Sequence, residues 1–189
     1  MSDAVSVLNG VANGTGLFFA PVGTASPTDA DTALPAEWFG IGYIKEDEAP
    51  NWSQEITTVP VRAWQSATSI KRRITSRELS LGFTMIEASP MTLALYFSED
   101  EPTPTDDEFS LALSSTPTVK EYACVLQVKD GDAYLRIALD KVSLESTGTL
   151  NTQRDEPIAL PVVLAALDNG AGLGEIFVKN PGAAWVATP

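Results

Sequence analysis

The chain has 189 residues, 44% of them apolar, with 25 acidic side chains against 12 basic ones and a formal net charge of −13. That length and apolar content fit one folded domain with appendages, and the negative balance disfavours sequence-independent DNA binding, which relies on Lys and Arg displacing counterions. The chain has no histidine and a single cysteine, Cys124, so the commonest general base, the commonest metal ligand, an internal disulfide and a cysteine-based zinc cluster are all missing.

Residues 1–16, small, polar and rich in Gly and Asn, are expected to form a flexible arm. No basic region followed by an apolar core precedes the domain, and no apolar run reaches the roughly 18 residues of a membrane span, so neither a signal peptide nor membrane insertion is expected. Leu17–Gly23 (LFFAPVG) reads as a first strand, stopped by Pro21 and Gly23. A weakly periodic loop follows and ends in an aromatic stretch around Trp38, Phe39 and Tyr43. KEDEAPNW is acidic and turn-rich, and the chain turns β-branched from Ile56 to Val59. The next segment is unlike the rest. Arg62, Lys71, Arg72, Arg73 and Arg77, five of the twelve basic residues, gather there.

Leu79, Leu81, Phe83 and Met85 then alternate with Glu78, Ser80, Gly82 and Thr84, the pattern of a half-buried strand. Ser89-Pro90 opens a helix, Ser as cap and Pro in the first turn, that ends near Phe97. Residues 98–109 hold six carboxylates and two prolines and read as a solvated loop. Tyr122–Leu139 is a hairpin around Asp130-Gly131, a pair suited to a tight turn, and DKVSLESTG extends the meander. PIALPVVLAAL, from Pro157, is apolar on both parities, as expected of a strand buried on two sides. Its two prolines restrict it to an edge or a bulged position. A last short strand leads to a loose C-terminal arm, residues 179–189. The sum over residues 17–178 is seven or eight strands and one short helix, an all-β sandwich or barrel with the helix packed against it.

Catalytic and ligand signals are weak. Glu99, Asp100 and Glu101 lie in the Pro-rich loop without an apolar wall to raise their pKa values. DADT and KDGDA lack the alternating oxygen ligands of a calcium loop, and a hairpin turn accounts for Asp130-Gly131-Asp132. GAGLGE (Gly170–Glu175) has the wrong spacing for a phosphate loop. Cys124 alternates with Tyr122, Leu126 and Val128 as a small core residue would. No serine has a histidine to activate it. No cofactor or metal is therefore expected. Of the four tryptophans, Trp38, Trp52, Trp64 and Trp185, three sit in polar or loop-like contexts, and Trp52 and Trp64 stand open between core and protein interface.

The order GTGLFFAPVGTASPTD, LPAEWFGIGYIKEDE and EITTVPVRAWQSATSIKRRITSRELSLGFTMIEASPMTLALYF resembles the major tail protein (tail tube protein) of long-tailed, non-contractile bacteriophages. The shared features are a Gly-Tyr before an acidic turn, a Trp-Gln before a basic stretch, and a strand ending in Ile-Glu before a short helix. They cover residues 14–97, and more loosely the β-rich part to 178. The resemblance implies a β-sandwich with a flanking helix, assembled as hexameric rings in the bacterial cytoplasm. Rings would stack through an extended loop or hairpin, here about residues 45–77, and through terminal arms. The tube would meet tail-terminator, tape-measure and tail-tip proteins, and DNA would cross it during infection. An acidic subunit suits a bore that passes DNA without holding it. Trp52, Arg62, Trp64, Lys71, Arg72, Arg73 and Arg77 are then candidate subunit-interface residues, with the cations meeting an acidic patch on the next protomer. A solvated basic face without a partner is the plainer alternative for that segment. For the whole chain the alternatives are a ring-forming tail-terminator or head-completion protein, a carbohydrate-binding β-sandwich, and a carboxylate hydrolase.

Overall fold

The computed structural model describes residues 15–66 and 68–180. The expected N-terminal arm up to residue 14, the expected C-terminal arm from residue 181, and Trp185 lie outside the described residues. Eight strands form one hydrogen-bonded sheet: β1 (Gly16–Pro21), β2 (Phe39–Gly40), β3 (Asn51–Arg62), β4 (Ser69–Met85), β5 (Glu121–Asp130), β6 (Ala133–Thr147), β7 (Leu160–Ala166) and β8 (Gly174–Lys179). Among the described residues one α-helix, α1, spans Pro90–Phe97. The all-β fold with one short helix is therefore what the chain adopts.

The spatial order is β2-β1-β5-β6-β7-β4-β3, with β8 beside β6. The path closes on itself. Just past β2, Tyr43 accepts from the Ile86 N–H at 3.1 Å and Lys45 donates to the Thr84 carbonyl at 2.9 Å, so the chain after β2 zips onto the end of β4. Phe19 of β1 and Phe83 of β4, far apart along the sheet path, consequently face each other with ring centroids 6.4 Å apart. Leu17, Leu81, Met85, Leu126, Val142, Leu160 and Leu164 fill the interior around them. Met91, Ala94 and Leu95 of α1 are buried too, and Met91 and Leu95 belong to that core.

Local sequence explains the helix. The Ser89 hydroxyl accepts from the Thr92 N–H at 3.2 Å, and the Thr92 hydroxyl accepts from the Ser89 N–H at 2.8 Å, a reciprocal cap that satisfies two otherwise orphaned donors. Pro90 sits where a missing N–H costs nothing. The Asp130-Gly131 turn forms as expected, Gly131 taking φ +59°. DKVSLESTG extends the hairpin as the second half of β6, up to Thr147, running on past a bulge at Glu145.

Of the edge or bulged position expected for β7, the edge does not form: the strand lies between β6 and β4 and pairs with β6 across the bulge at Glu145. Pro161 is tolerated because its carbonyl accepts from the Gly148 N–H at 2.9 Å. In a strand the nitrogen of a residue faces the same neighbour as its carbonyl, so the missing donor of Pro161 faces β6. Register pairs between those strands stop at Thr147↔Val162, so the proline removes a ladder bond only where that ladder is ending.

Candidate assembly surface

β3 and β4 pair from Asn51↔Gly82 to Arg62↔Ser69, but the body covers only the base of this hairpin. Leu81, Phe83, Thr84 and Met85 are buried, whereas all of Ser69–Glu78 is exposed, as is β3 apart from Trp52. The hairpin leaves the barrel as a two-stranded arm. Such a ribbon is marginal in water on its own, and this one carries Ile56, Val59, Val61, Ile70 and Ile74 in the open, the last two 62% exposed. Exposed aliphatic side chains on both faces of an unsupported ribbon make it a candidate interaction surface.

Register decides what each face of the arm presents, because residues directly opposite share a face. One face carries Ile56 with Arg77, Thr58 with Ile74, and Pro60 with Arg72. The other carries Glu55 with Glu78, Thr57 with Ser76, Val59 with Arg73, and Val61 with Lys71. Thr75 and Ile70 are the extra residues at two register shifts, and such bulges strengthen the local twist. The cations are thus divided between both faces rather than gathered in one patch. None of Arg62, Lys71, Arg72, Arg73 and Arg77 pairs with a carboxylate among the described residues. Arg77 donates from Nη2 to Gln54 Oε1 at 3.1 Å.

The two tryptophans left open by sequence differ here. Trp52, opposite Leu81, packs half-buried against the core, its Nε1 without a hydrogen-bond partner. Trp64 lies in the turn of the arm and is 98% exposed.

The acids of the body serve local structure. Asp100 accepts from Lys120 Nζ at 2.6 Å and Glu99 accepts from the Ser114 N–H at 2.6 Å, tying the start of the acidic loop to the segment before β5. Glu48 accepts from the Thr84 hydroxyl and from Lys45 Nζ at 3.1 Å, and the Thr84 bond first, then the Lys45 bond, hold its carboxyl below the usual range. Around Gly170–Glu175, Asp168 accepts from the Gly170 N–H at 2.8 Å, and a Cβ on Gly174 would overlap the Ala138 carbonyl, so these glycines serve a turn and a close strand approach. Cys124 is buried, which pushes its thiol pKa far up and away from nucleophilic chemistry. Among the described residues, no group of three or more His, Cys, Asp or Glu is placed to hold a metal ion, and no helix is long and apolar enough to cross a membrane.

One site residue was missed by the sequence reading. Arg136 of β6 is 2% exposed. It donates to the carbonyls of Asp29 and Thr32, both at 2.9 Å, and to Gln127 Oε1, with the Asp29 carboxylate 3.8 Å away. Burial lowers its pKa and the Asp29 charge partly restores it. The signal was a lone charge inside the apolar run AYLRIAL. Its role is to pin the 24–38 loop across the second face of the sheet, where Trp38 and Leu34 pack with Ala20, Ala123, Val125 and Ala138.

The β-barrel thus extends an apolar, cationic arm well beyond its own core, with side chains that the described residues leave uncovered. Residues 3–185 match the phage tail tube protein family, and the chain belongs to that family. It is thus a structural component of a bacteriophage tail. No curated protein matches the chain by sequence.

Proposed function

We propose that this chain polymerises into stacked hexameric rings forming the tail tube, with the β3–β4 arm as a joint between copies. The single observation carrying this is the arm itself, whose aliphatic side chains stand exposed and whose cations pair with no carboxylate among the described residues. An acidic body supports the rest of the reading: with five of twelve bases and two of 25 acids on the arm, the rest of the chain sets seven bases against 23 acids, and a bore of that sign lets DNA slide without phosphate contacts. The tube would assemble in the bacterial cytoplasm and meet terminator, tape-measure and tip proteins at its ends and interior. Trp64, Arg62, Lys71, Arg72, Arg73 and Arg77 are the interface residues on the arm, with Trp52 bracing its base.

Reversing Lys71, Arg72 and Arg73 to Glu tests this directly. Folded monomers that no longer lengthen into tubes are expected by negative-stain microscopy and sedimentation, because three attractive contacts become repulsive while the core is untouched. Tubes of normal length from the triple variant would overturn the arm's role. Closed rings from the wild-type protein that never stack would instead indicate a terminator.

A further inference from the structure

The arm face bearing Val59 and Val61 is not uniformly basic. Lys71 and Arg73 occupy it near the tip, while at its base Glu55 stands directly opposite Glu78. Like charges held across a ladder repel each other, and neither carboxylate has a basic partner among the described residues. Five other acids are engaged: Asp100 with Lys120, Glu121 with Lys141, Asp31 with Lys179, Glu48 with Lys45 and Asp29 with Arg136. Extended backbone advances about 3.4 Å per residue, so the Arg73 row lies about 14 Å, and the Lys71 row about 20 Å, from the carboxylate pair. Rows that far apart leave the pair unneutralised within its own protomer.

We propose that this face carries both halves of a head-to-tail joint: Lys71 and Arg73 of one copy dock on the Glu55–Glu78 pair of a second copy, covering Val59 and Val61 of the docking tip. Charge argues for that occupant. The chain's net charge is −13 and its densest group of unpaired cations is the arm tip, so the source best matched to the carboxylate pair is another copy's tip. A tip-on-base contact joins unlike patches, the kind of joint that leaves a series open and able to grow. The inference rests on the polymerisation proposed above and specifies which patch receives the tip.

A charge swap tests it with full-length protein. Tip-reversed protein (K71E/R73E) and base-reversed protein (E55K/E78K) are each expected to stay folded by circular dichroism and to lose tubes by microscopy. The base variant exchanges one like-charge pair for another, so the ladder itself is little changed. Mixing the two variants should restore tubes of alternating copies, because each negative tip then meets a positive base and each positive tip a negative base. The four-fold variant should polymerise alone, yet fail to join wild-type ends. If the tip variant loses tubes while the base variant keeps them, or if mixing restores nothing, this inference is overturned and the arm's role in polymerisation stands. If wild-type protein forms neither rings nor tubes at any concentration, the polymerisation reading falls, and this inference with it.

Discussion

Arg136 shows how a single residue can hold an irregular segment. Long loops lie on surfaces because their backbone groups need partners, and the 24–38 loop instead lies over a sheet face. Arg136 supplies donors to two of its carbonyls from beneath, and its charge is balanced by Asp29. The Asp29 carboxyl is in turn held low, first by the Thr32 hydroxyl and then by backbone N–H groups. Replacing Arg136 with Met keeps the stem and removes every donor. We expect a loss of about 3 kcal/mol, the scale of a few charged hydrogen bonds and one stranded buried acceptor, measured by urea unfolding. Faster proteolysis within 24–38 should accompany it. Unchanged stability would mean that Trp38 and Leu34 hold the loop by packing alone. The residue was hard to read from sequence because nothing in AYLRIAL says that a distant loop offers carbonyls to that one arginine.

At the scale of elements, signals contained within a few consecutive residues were legible and those that depend on distant partners were not. The alternation from Leu79 to Met85, the Ser89-Pro90 opening and the Asp130-Gly131 turn are each settled by neighbours in the chain, and each forms as expected. The helix cap can be weighed. Ser89→Ala removes one half of the reciprocal cap and should cost about 1 kcal/mol, a fall of roughly 2–4 °C in melting temperature for a chain of this size. No shift would mean that Thr92, which also donates to the Glu87 carbonyl at 2.7 Å, suffices to fix the turn. The prolines left β7 at an edge or a bulged position, and of the two the edge does not form. The sheet accommodates Pro161 where β6 runs out, and only pairing with Gly148 reveals that. The arm was legible as a basic stretch. Its two faces were not, since they depend on the β3–β4 register and on the bulges at Thr75 and Ile70.

For the whole molecule, two electrostatic effects of opposite sign act on any assembly, and their ranges differ. The net charge of −13 makes copies repel at long range, whereas tip cations on base carboxylates attract at contact. Screening acts first on the longer range: the Debye length is about 30 Å at 0.01 M salt, about 8 Å at 0.15 M and about 3 Å at 1 M. Raising salt from 0.01 M to 0.15 M should therefore relieve repulsion between bodies while leaving contact pairs largely intact. Raising it to 1 M should weaken the contacts as well, leaving mainly the aliphatic side chains of the arm to hold copies together. The expected outcome is a critical concentration for tube growth, read by sedimentation, that passes through a minimum at intermediate salt. In protein with Lys71, Arg72 and Arg73 reversed, the contact term is itself repulsive, so added salt should lower the critical concentration throughout and the high-salt rise should vanish. A wild-type curve that falls steadily to 1 M would show that apolar contact, rather than charge pairing, dominates the joint.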